Sequence, residues 1–170
     1  EEELSGVDAT GVEGHLVAWG YFQSVDHPAN QAFLKQWHDY LGDEYRATND
    51  PMEAHYIGFN MWVEAVRQTG SLDVDQVIDK MVGIRVPNLS GGMAEMLPNH
   101  HITRPAMVGE INSDGQFRIV WRSPDLLPGD AWSDYLDISR DLVADWRAPV
   151  SCGSFNRVSG TCVRVPPAAN

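Results

Sequence analysis

Three observations predict an α/β chain. An apolar run at residues 16–22 leads straight into a capped helix, a second helix opens on a strong start signal near residue 50, and a hairpin signature lies between Met107 and Trp121.

Leu16-Val17-Ala18-Trp19-Gly20-Tyr21-Phe22 reads as a strand, and its unbroken apolar run predicts burial on both faces. A helix follows, with Asp26 or Ser24 as cap and Pro28 in the first turn. Phe33, Trp37, Tyr40 and Leu41 fall at helical spacing before Gly42. The next helix has Asp50 as its expected N-cap, Pro51 at the first helical position and Glu53 reaching back to the cap. Its predicted buried face is Ala54, Ile57, Met61 and Ala65, and it stops at Gly70. A third helix, capped by Asp73 or Ser71, is expected to bury Val74, Val77, Ile78 and Met81 and to end at Gly83.

Periodicity then fades over residues 84–104, where Pro87, Gly91, Gly92 and Pro98 mark a long connection. Met107-Val108-Gly109-Glu110-Ile111 and Gln116-Phe117-Arg118-Ile119-Val120-Trp121 flank Asn112-Ser113-Asp114-Gly115, a turn sequence that predicts two antiparallel strands. Beyond Pro124 the chain is rich in Pro and Gly; a short helix is expected over residues 138–146 and disorder at the C-terminus. So few strands make a thin sheet. Either the chain pairs with material outside this sequence, or it forms a smaller α+β fold.

Composition narrows the function. A chain of 170 residues is long enough for a proper core, burying roughly 70% of its unfolded surface. The net charge is -12 and no Lys/Arg cluster occurs, which argues against nucleic acid and anionic membrane surfaces, since both attract concentrated positive charge. No apolar run is long enough to insert into a membrane as a helix. The opening Glu1-Glu2-Glu3 reads as an internal position of a longer protein. Cys152 and Cys162 bracket a Gly/Ser-rich loop. In an oxidising compartment they would close a disulfide worth about 2 to 3 kcal/mol; otherwise they are two free thiols.

No motif points to an enzyme or to a cofactor. Ser/His/Asp and Cys/His constellations, phosphate-binding Gly loops and nucleotide fingerprints are missing from the sequence. His100-His101 lacks supporting ligands and reads as a loop anchored by imidazole hydrogen bonds, not as a metal pair. The spacing of Asp50 and Glu53 is explained by helix capping, without acid/base chemistry. Trp19 and Phe22 read as core aromatics. Tyr21 is either core or a cleft wall, since a buried hydroxyl needs a partner.

Several short stretches occur together: Glu1-Glu2-Glu3-Leu4, Gly14-His15-Leu16, Ala18-Trp19, Tyr21-Phe22-Gln23-Ser24-Val25-Asp26, Asn49-Asp50-Pro51-Met52-Glu53-Ala54, Asn99-His100-His101, Gly109-Glu110-Ile111 and Asp114-Gly115-Gln116-Phe117. In this order and spacing they resemble the C-terminal half of bacterial urea or short-chain amide binding proteins, type I periplasmic solute-binding proteins. The resemblance runs from residue 1 to about residue 132.

It implies the C-terminal portion of a two-lobed, three-layer α/β fold. Residues 1–22 would belong to the second lobe up to the hinge, 23–105 to the first lobe, and 106–136 to a hairpin returning to the second. Residues 137–170, with Cys152 and Cys162, match no motif of the family and form a tail. The implied ligand is urea or a small amide held between the lobes, the implied partner is an ABC permease, and the implied location is the periplasm. Glu2 or Glu3, at the end of a second-lobe strand, would accept the ligand's N–H groups, with Tyr21 and Ser24 at the hinge completing the site. Two other readings use the same fold. One is an amide-sensing regulator; the other is an assembly module that self-associates through an exposed sheet edge.

Overall fold

A computed structural model describes residues 1–129 and, beyond them, the backbone of three short strands. The chain divides into two compact units, Glu1–Gly129 and Asp130–Asn170.

The first unit opens with two 3-10 turns, Glu3–Gly6 and Ala9–Gly11, the second capped by Asp8. Strand β1 is Leu16–Trp19, and the chain then enters helix α1, Pro28–Leu41. The cap of α1 is His27, whose ring Nδ1 accepts from the Ala29 amide; it is neither Asp26 nor Ser24. Asp26 instead accepts from Gln31 Nε2. Helix α2 is Asp50–Thr69 and α3 is Val74–Met81, capped by Asp73. Asn49, not Asp50, caps α2 by accepting from the Met52 amide at 2.8 Å, which moves Asp50 and Pro51 into the first turn. Gly42 and Gly70 end α1 and α2 in the left-handed conformation, where a Cβ would be strained.

Along α2 the buried residues are Glu53, Ile57, Met61 and Ala65, a stripe at a spacing of four. The stripe begins at Glu53, and Ala54 is only half-buried. Ile57, Met61 and Ala65 join Val77, Ile84, Val86, Ala94 and Met96 in one cluster. Burying side chains the size of Ile57 and Met61 contributes about 1.5 to 3 kcal/mol each. On α3 only Val77 is buried, while Val74 and Ile78 stay exposed.

The expected long connection holds a hairpin of its own. β2, Arg85–Pro87, pairs antiparallel with β3, Met93–Glu95, around a turn in which the Asn88 amide bonds to the Gly92 carbonyl. Strands this short carry too little alternation to be read from sequence.

β4, Met107–Ile111, and β5, Phe117–Arg122, form the expected hairpin. β1 adds to β4, giving an antiparallel sheet of order β1-β4-β5. β4 alternates buried and half-buried residues, and its inner face packs Met107 and Ile111 with Phe22, Val25 and Phe117 in a second cluster. Gly109 is required there, because a Cβ would lie 3.0 Å from both the Phe22 and Phe117 rings. β1 is not buried on both faces: Leu16 and Trp19 are exposed, since β1 is an edge strand paired only with β4 among the described residues.

The second unit contains β6, Leu142–Val143, β7, Ser154–Asn156, and β8, Thr161–Val163, as an antiparallel sheet. The helix expected over 138–146 is replaced at Leu142–Val143 by this strand; the rest of that span, the expected C-terminal disorder and the Cys152 to Cys162 pairing lie outside the described residues.

Candidate ligand-binding site

A web of side chains fixes the segment that follows β1. The Tyr21 hydroxyl donates to Asn30 Oδ1 at 2.8 Å and lies 2.9 Å from Thr48 Oγ1, with all three residues buried. Asn30 Nδ2 donates to the carbonyls of Gln23 and Val25, and Gln23 Oε1 accepts from the Thr48 amide. The start of α2 is thereby anchored beside Tyr21. Asn49 then caps the helix with its oxygen and donates its amide group to Glu2 Oε1.

Between the first residues, the end of β1 and the start of α2 lies a cleft of about 280 Å³. Its polar lining is Glu1, Glu2, Glu3, Asn49 and Asp50; its aromatic lining is Trp19 and Tyr21; Val17, Phe22, Ile111 and Phe117 are the apolar part. Of two other grooves, the one of about 750 Å³ beside α2 and β2 combines Tyr56, Asn60 and Glu64 with the cations Arg67, Lys80 and Arg85, and the one of about 510 Å³ beside His100 and His101 has no carboxylate in its lining.

Three of the expected site residues, Glu2, Glu3 and Tyr21, line this one cleft. They do so differently from the expectation. Glu2 and Glu3 stand at a 3-10 turn, not at a strand end. Glu2 Oε2 is buried without a protein hydrogen-bond partner among the described residues, whereas Glu3 is exposed. Tyr21 presents its ring, because its hydroxyl is already engaged by Asn30 and Thr48. Burial pushes that phenol well above its ordinary range, with Glu1, Glu53 and Asp50 adding to the shift and the Thr48 bond opposing it. Ser24 is outside the lining; its amide donates to Glu1 Oε1 at 3.4 Å and its hydroxyl is buried without a protein partner. Burial also pushes the Glu1 carboxyl up. Trp19, expected in the core, is half-exposed in the cleft wall.

The cleft continues into an ion cluster that the sequence reading missed. Arg104 donates from Nη1 to Asp50 Oδ2 at 2.8 Å, from Nη2 to Asp50 Oδ1 at 2.6 Å, and from Nη2 to Glu53 Oε2. Asp50 and Glu53 are therefore held by a cation, and Glu53 does not reach the cap as expected. The reason is its place on the buried stripe of α2, where a carboxylate needs a charge partner. Burial pushes the Glu53 carboxyl up to about 7, with Asp50 adding to the rise and Arg104 opposing it. Burial works against the Arg104 charge, but its bonds to Asp50 and the charges of Glu53 and Asp50 outweigh this and raise its pKa. An acidic residue in register with Ile57, Met61 and Ala65 was the signal available in the sequence. Its partner, 51 residues away, had none.

The His100-His101 turn is held by the backbone and by Asn99, which accepts from the His101 amide and donates to the Gly129 carbonyl. Imidazole hydrogen bonds to these two residues are absent among the described residues, because both side chains are exposed. Among the described residues no group of three or more His, Cys, Asp or Glu is placed to hold a metal.

Residues 1–138 match the family model described as a periplasmic binding protein domain. The chain belongs to this family. Its fold is type I periplasmic-binding-protein-like, and the chain represents part of that fold. A periplasmic binding protein from Burkholderia mallei covers 72% of this chain with a TM-score of 0.61 and 12% identity; the chain covers 33% of that structure. An ABC transporter solute-binding protein from Rhodopseudomonas palustris, in complex with p-hydroxybenzoic acid, covers 66% of the chain at a TM-score of 0.57 and 24% identity, with 31% of that structure covered. An amino acid ABC transporter substrate-binding protein from Pseudomonas fluorescens covers 72% at 0.60 and 19% identity, with 34% of that structure covered.

The chain thus spans about a third of these periplasmic binding proteins. Among curated proteins it is 32% identical over 115 residues to a protein named limonene hydroxylase from Geobacillus stearothermophilus, covering 68% of this chain and only 21% of that protein. Periplasmic binding proteins are generally non-enzymatic, extracytoplasmic partners of ABC permeases that carry small molecules. No helix among the described residues is long and apolar enough to cross a membrane.

Proposed function

We propose that this chain is part of the solute-binding component of an ABC importer that captures urea or a short-chain amide between two lobes and delivers it to a permease. The observation that carries this reading is the lining of the cleft: carboxylates at Glu1, Glu2 and Glu3, the Asn49 side chain and the Trp19 and Tyr21 rings, with no Lys or Arg. Such a lining offers acceptors to flat N–H donors and repels carboxylates.

We assign residues 1–22 and 106–136 to the second lobe and residues 23–105 to the first. In support, Met107, Ile111 and Phe117 cluster with Leu4, Val17 and Phe22, whereas Ile57, Met61 and Ala65 cluster separately with α3, β2 and β3. The site residues of this reading are Glu2 and Glu3 as acceptors, Tyr21 as a ring wall, and Ser24 as a hinge residue acting through Glu1. The cysteine loop at Cys152 and Cys162 is assigned a disulfide, consistent with an exported protein.

Calorimetric titration of the protein with urea, acetamide, benzoate and leucine tests the reading. Heat from urea or acetamide, with benzoate and leucine silent, supports it. Saturable binding of benzoate or leucine without urea or acetamide would overturn the assignment of the solute.

A further inference from the structure

We propose that Arg104 is the positioning residue of the cleft: its guanidinium, packed under Gly20, ties the first turn of α2 to the chain passages that lead into the sheet, and so sets the distance between the two cleft walls. This rests on reading the cleft as the solute site.

The first observation is the fork. Arg104 grips both oxygens of Asp50, a cleft residue, and also bonds Glu53, yet it does not itself line the cleft. A bidentate pair fixes orientation as well as distance, so the α2 wall cannot rotate about a single bond.

The second is where Arg104 sits along the chain. Its amide donates to the Leu127 carbonyl at 3.0 Å and the Leu127 amide returns a bond to its carbonyl at 2.7 Å. Two residues on, the Ser123 amide donates to the Ala106 carbonyl, and the Ala106 amide to Ser123 Oγ. The entry to β4 at Arg104–Met107 and the exit from β5 at Arg122–Leu127 are thereby stitched together, and the Arg104 side chain joins both to α2.

The third is Gly20, in the passage out of β1. A Cβ there would lie 3.0 Å from Arg104 Cζ and 3.1 Å from Asp50 Oδ1. The backbone of this third passage rests on the ion pair, with no room for a side chain. The entry to β4 and the exit from β5 are therefore joined at the Arg104 backbone, while the passage from β1 to α1 and the first turn of α2 meet at its guanidinium.

Hydrogen exchange on the full chain reads this without a ligand. Arg104→Lys keeps the charge and loses the fork; Gly20→Ala keeps every charge and pushes on the pair. Both variants are expected to speed exchange about tenfold at the amides of Met52, Glu53, Ser123 and Leu127, while Val77 and Asn112, bonded elsewhere, keep their rates. Unchanged rates at the four amides, or an equal rise throughout the chain, would overturn the proposal. Acetamide titration at a temperature where both variants stay folded supplies a second readout: affinity falling about tenfold in both supports positioning, and wild-type affinity in both overturns it. If the wild-type protein does not bind acetamide, the solute reading fails on its own, and the exchange rates still decide whether Arg104 couples the passages.

Discussion

Arg104 and Asp50 lie 54 residues apart in the chain and meet through two parallel hydrogen bonds, with Glu53 completing the cluster on the same nitrogen. Only the Asp50 and Arg104 side chains are partly solvated, at 12% and 21%; Glu53 is sealed. Arg104→Ala leaves that sealed carboxylate without its cation and is expected to destabilise the first unit by about 3 to 5 kcal/mol in chemical denaturation. Arg104→Ala combined with Glu53→Gln recovers part of the loss, because the unpaired buried charge is gone.

Glu53 also gives stability a pH dependence of definite sign. Its carboxyl is raised by burial to about 7 in the fold, above the ordinary value of 4.5. The folded state therefore holds this proton more tightly than the unfolded chain. Stability from this group is fully present below about pH 4.5 and is lost as the pH rises to about 7, a change on the order of 3 kcal/mol. Denaturation of wild type and Glu53→Gln at pH 5 and pH 8 isolates it: the wild type weakens more than the variant on going to pH 8.

Tyr21→Phe removes the hydroxyl that joins Asn30 and Thr48 and leaves both buried groups short of a partner. A destabilisation of about 1 to 3 kcal/mol is expected, measured by thermal or urea unfolding. Ligand affinity should fall less than stability does, because the ring that lines the cleft remains.

Glu2→Ala acts the other way. Glu2 bonds Asn49 at the surface of the cleft, and its second oxygen has no protein partner among the described residues. Affinity for urea or acetamide is expected to drop about tenfold or more, with the melting temperature changed by no more than a few degrees. Affinity equal to wild type in calorimetry removes Glu2 from the site.

Gly109→Ala tests the packing that supports the cleft floor. Its Cβ would meet the Phe22 and Phe117 rings, which pack tilted at 42° with centroids 4.7 Å apart. The expected cost is about 1 to 3 kcal/mol, seen as a lowered denaturation midpoint with an unchanged slope.

Local chemistry determined much of this protein. The apolar spacing of Ile57, Met61 and Ala65, the Asp73 cap, the stops at Gly42 and Gly70 and the turn at Asn112 to Gly115 each depend on neighbours within a few residues, so they are legible in the sequence. The cap of α2 was misplaced by one residue because Asn49 and Asp50 are equally good caps, and only backbone geometry separates them. The hairpin of β2 and β3 was hidden by strands of three residues. What the tertiary structure alone decided is which distant groups share a space: Tyr21 with Asn30 and Thr48, Glu2 with Asn49, and Arg104 with Asp50 and Glu53. Those pairings cost chain entropy to form and leave no periodic trace. They exist because a buried polar group must find a partner, and the fold determines which one lies within reach.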